Sequence, residues 1–256
     1  MSEQPDDGTE FRELYPGRGA ADLTVLYEPT VDPRRDRHVR VNMVASADGG
    51  TAVGGTSGSL GGAADHVIFA TIRSFADVIV VGASTMRDEQ YGPARLDEHH
   101  RQARLERGQT PVPAIAVVTR RAELAWQAPF FAEAEVAPLI VTVGAAPHPP
   151  ADVAGVVVAG TDGGVDFGVA LDELVRRGYR NVLVEGGPTI NGQFAALGAV
   201  DELCLTDSPL LLVGSSHRIF AGADLATPAR LALVSVVTAE SFLFVRYARA
   251  EPALAA

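Results

Sequence analysis

Short runs of apolar, β-branched residues recur along the chain at 39–45, 78–82, 114–119, 138–143, 155–159, 181–185, 202–206, 231–237 and 242–248. They read as strands. Between several of them the spacing turns helical, at residues 64–76, 84–89, 167–178 and 188–198, the third with Val169, Leu171, Leu174 and Val175 on roughly one face. Alternation of strand and helix implies a largely parallel sheet covered on both sides. The last two strands follow one another without a helix, which predicts an antiparallel hairpin at the C-terminus and makes the sheet mixed. Residues 1–37 are rich in Pro, Asp and Arg, with only Leu23 to Tyr27 resembling structure, and are expected to form an irregular extension. The predicted organisation is that extension followed by one α/β domain over residues 38–256.

A length of 256 residues and 47% hydrophobic content are enough for one large core. The balance of 21 basic against 32 acidic side chains, a net charge of −11, repels a phosphate backbone, so nucleic acid is not expected as a partner. Every basic side chain is arginine, since the chain holds no lysine. Schiff-base chemistry and the phosphate-loop lysine are thereby removed together. The single cysteine, Cys204, sits in an apolar run and reads as a buried, inert thiol, with no disulfide and no cysteine-rich metal site. The acidic start of the chain lacks a secretory pattern and no stretch approaches membrane-spanning length, so a cytoplasmic protein without a membrane partner is expected.

Three glycine-rich segments follow strands and carry the candidate chemistry. In residues 181–193 a short strand ends in Glu185, Gly186, Gly187 and Pro188 before a helix. Glycine admits a ligand close to the backbone, proline suits the first helical position, and the free N–H groups of the first turn can hold a pyrophosphate. The same pattern also serves as an ordinary tight turn, and it is not Gly-x-Gly-x-x-Gly, so a standard Rossmann site is not indicated. Residues 46–62 supply seven glycines and several hydroxyls between a strand and a helix, where long idle loops are uncommon. Residues 78–95 run from strand through Gly82, Ser84 and Thr85 into a short helix, where Thr85 can cap the helix or bind phosphate. Arg73, Arg87 and Arg95 offer guanidinium groups suited to phosphate.

Taken together, Ser46-Ala47-Asp48-Gly49, Val81-Gly82-Ala83-Ser84-Thr85 and Val184-Glu185-Gly186-Gly187-Pro188-Thr189 resemble the reductase domain of the bifunctional riboflavin-biosynthesis deaminase-reductase. The chain is more similar still to the stand-alone pyrimidine reductase family proteins, over roughly residues 38–249. The resemblance implies a dihydrofolate-reductase-like, three-layer α/β/α fold, a homodimer, and NADPH-dependent reduction of a phosphoribosylamino-pyrimidine. It implies cofactor contacts at Thr51, Ala52, Val53, Gly54, Thr85, Glu89 and Thr119, and along Gly187, Pro188, Thr189, Ile190 and Asn191. Ser57, Arg73, Arg95 and Glu185 would face the substrate, with Glu185 and Glu89 as the candidate catalytic carboxylates and no metal. Arg87, Arg120 or Arg121 would select the 2′-phosphate.

The chain also departs from that family. It lacks the His-x-Glu and Pro-Cys-x-x-Cys signature of zinc deamination. Arg87-Asp88-Glu89 stands where the bifunctional enzymes place paired aspartates, and Ser59 or Leu60 stands where they have an aromatic residue. These changes bear on the acceptor. Two alternatives follow: a dihydrofolate or pterin reductase, by fold analogy, and a protein that binds NADPH without turnover.

Overall fold

In the computed structural model, which describes residues 9–30, 35–161 and 163–250, the strand runs assemble into one 11-stranded sheet. In chain order the described elements are β1 Arg12–Tyr15, β2 Gly19–Ala20, α1 Leu23–Tyr27, β3 His38–Ser46, α2 Ala63–Phe75, β4 Val78–Gly82, α3 Ala83–Asp88, α4 Glu98–Glu106, β5 Ala114–Val118 and α5 Pro129–Ala132. They continue as β6 Leu139–Thr142, β7 Gly155–Val158, β8 Gly160–Thr161, β9 Gly164–Val165, α6 Phe167–Arg176, β10 Asn181–Val184, α7 Pro188–Ala196, β11 Glu202–Ser208, β12 Leu231–Ala239 and β13 Phe242–Arg249. The sheet order is β2-β1-β12-β13-β11-β3-β10-β4-β5-β6-β7. From β11 to β7 all neighbours are parallel, and from β11 outward through β13, β12, β1 and β2 all are antiparallel. The mixed, mostly parallel α/β sheet and its C-terminal hairpin are therefore as the sequence predicts.

The strands of the parallel half are apolar on both faces because both are covered. Val78 and Val80 join Val39, Val41, Val182 and Val184 under α6 and α7, where Leu171, Leu174 and Phe194 are buried. Ile79 and Val81 point the other way, with Ile115 and Leu183, and meet Ile68, Ile72 and Phe75 of α2 and Phe130 and Phe131 of α5. The period-2 alternation of the strands thus builds two cores, one on each side of the sheet. Cys204 is free and buried, and burial pushes its thiol pKa up, so it is a packing residue.

Residues 12–27, expected to be irregular, instead carry β1, β2 and α1. β1 lengthens the sheet edge by pairing with β12, Phe11 packs on Phe244 with ring centroids 6.1 Å apart, and Asp22 caps α1 by accepting from the Val25 N–H at 3.1 Å. Residues 1–8 and 31–34 of that predicted extension lie outside the described residues. Helix α4 was not apparent in the sequence because it has no apolar stripe. Its buried anchor is Arg104, whose guanidinium donates to the Ser74 and Ala76 carbonyls at 3.0 and 2.5 Å and so closes the C-terminal end of α2.

Candidate functional site

β3, β10 and β4 lie side by side and parallel, so their carboxyl ends open onto one crevice, the place where open α/β sheets bind ligands. All three glycine-rich segments leave from these ends. The cavity between them has a volume of about 800 Å³.

Glu185 follows β10 directly and stays in register, its N–H donating to the Val80 carbonyl at 3.0 Å. Its side chain is only 2% exposed. The carboxylate accepts both arms of the Arg73 guanidinium, Nε at 2.8 Å and Nη2 at 2.7 Å, and the Tyr91 hydroxyl at 2.9 Å. Arg73 comes from the last turn of α2, one turn beyond Phe69, whose ring lies 4.0 Å below the guanidinium carbon. Burial alone would lower the Arg73 pKa, but Glu185 beside it raises it overall. Burial first, and then the charge of Glu185, pushes the Tyr91 phenol well above its ordinary value, so it serves as a neutral hydrogen-bond donor. The cavity floor is therefore a fixed carboxylate with its donors already in place.

The two glycines after Glu185 bring two turns together. Gly186 has φ +86°, and its carbonyl accepts the Gly82 N–H at 2.8 Å. A Cβ on Gly187 would lie 2.8 Å from Thr85 Oγ1, so the start of α7 packs against the start of α3. Gly187 provides no side-chain cap for α7 and Pro188 occupies its first turn, leaving the helix N-terminus open to an anion.

The loop after β3 is anchored by Asp48, which accepts from Ser46 Oγ at 2.6 Å, the Leu212 N–H at 3.2 Å and the Val213 N–H at 2.7 Å. Those bonds hold its carboxyl down at about 2. Thr51 is clamped to the same later segment, with its N–H donating to Ser216 Oγ at 2.9 Å and its hydroxyl to the His217 carbonyl at 3.0 Å. The Ser57 N–H donates to Glu89 at 2.7 Å, joining this loop to the end of α3.

Of the residues expected from sequence, Thr51, Ala52, Ser57, Arg73, Thr85 and Glu89 line the cavity, as do Glu185, Gly187, Pro188, Thr189 and Ile190. The others do not. Val53 and Gly54 form an exposed loop tip that bridges to Thr56. Thr119 follows β5, and its hydroxyl accepts the Ala122 N–H at 3.1 Å. Asn191 is fully buried and donates to the Ile219 carbonyl at 2.7 Å. Arg95 is exposed and pairs with Glu133 at 2.7 Å. The structure adds Asp65, His66 and Phe69 from α2 and His217, none of which has a motif around it, and Tyr91, which lies in the third glycine-rich segment with nothing there to mark it out.

Segment 216–221 closes one side of the cavity by lying on α7. The packing is tight enough that a Cβ on Gly192 would come within 1.9 Å of the Ala221 carbonyl oxygen. Gly192→Ala is therefore expected to displace this segment, read as faster protease cleavage between residues 209 and 222 and a lowered unfolding temperature. Unchanged cleavage would mean that the segment is not held by α7.

The RibD C-terminal domain family matches this chain over residues 37–243. A protein of Aquifex aeolicus (strain VF5) named 2,5-diamino-6-ribosylamino-4(3H)-pyrimidinone 5′-phosphate reductase is 32% identical over 158 residues, which is 60% of this chain and 66% of that relative. The matched segment thus spans just under two thirds of that relative's length. A protein of the same name from Methanothermobacter thermautotrophicus is 28% identical over 220 residues, 82% of this chain and 97% of its own. The crystal structure of a pyrimidine reductase-like protein from Corynebacterium diphtheriae superposes with a TM-score of 0.79 at 24% identity, covering 91% of this chain and 100% of that one, a likeness of fold.

Proposed function

The chain belongs to the RibD C-terminal domain family, and from that membership we propose that it is an NADPH-dependent reductase. Its substrate would be a phosphoribosylamino-pyrimidine of the riboflavin-biosynthesis type, whose ribosylamino group becomes ribitylamino. The observation that carries this reading is the buried Glu185 carboxylate, fixed by Arg73 and Tyr91 on the floor of a cavity whose rim is the uncapped start of α7. The names of the two reductases above support the substrate class.

The residues fit a dinucleotide. The open N-terminus of α7 suits a pyrophosphate, and Ser84 and Thr85 add hydroxyls to the same rim. When bound, the reduced nicotinamide supplies hydride to the sugar C1′. Glu185 offers a rigid acceptor to the polar groups of the substrate, because its own two partners leave it no freedom to turn. Tyr91 keeps its proton and holds the carboxylate in plane. Phe69 gives a flat apolar wall against which a heterocycle can lie while water is kept out. Leu231, Leu233 and Leu243 are partly exposed on the C-terminal strands and favour a homodimer through that face of the sheet.

Titration with NADPH and with NADH, followed by addition of the phosphoribosylamino-pyrimidine or of dihydrofolate to separate samples, tests the reading. Preferential NADPH binding with oxidation only in the pyrimidine sample is the expected result. Consumption of dihydrofolate alone would move the assignment to a pterin reductase, and failure of both cofactors to bind would overturn it.

A further inference from the structure

Helix α2 presents Phe69 and Arg73 to the cavity, yet its own sequence gives its first turn no cap. Gly62 stands at the N-cap and makes no side-chain bond. The bond comes instead from the far end of the chain. Glu240 Oε2 accepts the Ala64 N–H at 3.2 Å, at the second helical position, where the oxygen of a capping residue ordinarily reaches. Its Oε1 accepts the Thr9 hydroxyl, also at 3.2 Å. Glu240 and Ser241 form the two-residue connection of the β12–β13 hairpin, with Ala239 paired to Phe242. Their φ angles are +50° and +69°, the left-handed arrangement of a type I′ turn, which favours asparagine and glycine. Backbone of this kind in other residues is strained and persists where neighbouring structure holds it. Here the neighbour is α2: a Cβ on Gly62 would lie 3.2 Å from two atoms of the Phe242 ring, so the hairpin end sits directly on the helix start.

The other end of α2 is held differently. Besides the Arg104 bonds, Arg107 donates to the Ser74 carbonyl at 2.7 Å and Gln109 to the Phe75 carbonyl at 3.2 Å. We propose that Glu240 is a positioning residue for the reductase site, capping α2 from the hairpin and so fixing the half of the helix that carries His66 and Phe69 into the cavity. This rests on the reading of the cavity as a heterocycle site. Without the cap the first turn opens part of the time, only the closed fraction presents the full cavity wall, and apparent affinity for the heterocycle falls by that fraction. Hydride transfer to a seated ligand is left alone, because Arg73, Glu185 and Tyr91 are bonded to one another at the opposite end of the helix. The expected signature is a KM raised about three- to tenfold, the equivalent of one helix cap, with kcat kept within about twofold.

Three variants test this. Asparagine suits a left-handed position better than glutamate but is one methylene shorter, so Glu240→Asn removes the cap while easing the turn. Glu240→Gln keeps the reach and one acceptor oxygen. Ser241→Gly eases the turn and leaves the cap in place. Each is compared with the unaltered protein by thermal unfolding, by steady-state kinetics with the phosphoribosylamino-pyrimidine and with dihydrofolate, and by amide hydrogen exchange along α2. In Glu240→Asn the expected result is the raised KM and faster exchange over residues 63–69 but not 70–75, at an unfolding temperature that does not fall. Glu240→Gln should restore both readouts, and Ser241→Gly should change neither. An unaltered KM in Glu240→Asn, or one raised as far in Glu240→Gln, overturns the proposal. So does a raised KM that comes with a lower unfolding temperature and an equal loss of kcat, the mark of a general loosening of the fold. If the unaltered protein reduces neither substrate, the functional reading falls and hydrogen exchange alone decides the role of Glu240: faster exchange confined to residues 63–69 in Glu240→Asn supports it as the anchor of α2, and equal exchange in all variants overturns it.

Discussion

Replacing Glu185 with glutamine is expected to lower kcat/KM for the pyrimidine by about 10–100-fold while NADPH affinity stays nearly unchanged, the loss matching one or two charge-assisted hydrogen bonds. The amide is close in shape to the carboxylate, so the cavity keeps its form. It cannot accept both arms of Arg73, however, because one of its two terminal atoms is itself a donor. Arg73 is then left partly buried without its counter-charge, which disfavours the folded state as well. Comparison with Arg73→Lys separates the two effects. Lysine preserves the charge but not the two-armed geometry, so it is expected to restore stability more than rate. If Glu185→Gln turned over the pyrimidine at the unaltered rate, Glu185 would be a structural residue and the proposed chemistry would lose its anchor. Binding of NADPH alone would then favour the alternative of a dinucleotide-binding protein without turnover.

Glu202→Gln is expected to destabilise the fold by about 3–5 kcal/mol, as for other buried ion pairs broken on one side. For a domain of this size that is a fall of roughly 6–20 °C in the unfolding midpoint. Glu202 opens β11 and is 2% exposed. Its carboxylate accepts from Arg40 at 2.9 Å, from Arg246, and from the His38 ring at 2.9 Å. Arg40 also donates to the Tyr27 carbonyl at 2.8 Å, and Arg246 to the Leu26 carbonyl, so the cluster ties the end of α1 to the sheet. Burial alone would raise the Glu202 pKa, but Arg40, His38 and Arg246 bring it far below the ordinary carboxylate range. A depressed folded-state pKa adds stability that is fully present above the unfolded value, about 4.3, and is lost as pH falls below it. Chemical denaturation across pH 3–7 checks this, in that the unaltered protein should lose stability below about pH 4.5 more steeply than Glu202→Gln. Equal slopes would mean that the cluster carries no net charge coupling.

The two carboxylates differ in what a reader of the chain can see. Glu185 stands at the end of an apolar run and before two glycines and a proline, and that local grammar marks a strand passing into a ligand-binding turn. Glu202 also begins an apolar run, but nothing beside it announces two arginines and a histidine from two other strands. Its role exists only once β3, β11 and β13 lie next to one another.

The same division holds for the rest of the site. The loop ends were legible because glycine, proline and hydroxyl residues have local conformational uses that survive without knowledge of the fold. Asn191 sits in such a run and was expected at the cofactor, yet it is turned inward to the Ile219 carbonyl, because helical rotation places every residue of a first turn in a different direction. Arg95 was expected at the substrate and is instead at the surface with Glu133, since arginine composition says nothing of direction. Asp65 and Phe69 carried no motif and became site residues only when α2 crossed over the sheet between β3 and β4, and Tyr91, just past the end of α3, gained its role only by reaching Glu185.

By itself the sequence determined the α/β class, the mixed sheet with its C-terminal hairpin, the three turns that line the cavity, and the placement of Glu185 before two glycines at a helix start. All of these follow from local propensity and from apolar periods of two and 3.6 residues. Tertiary structure alone decided which side chains meet: Arg73 and Tyr91 on Glu185, Asp65 beside Thr206, the Glu202 cluster, and the attachment of residues 12–27 to β12. The reason is that each of these contacts joins segments far apart along the chain, and their relative placement is set by strand order, which short-range patterns do not encode.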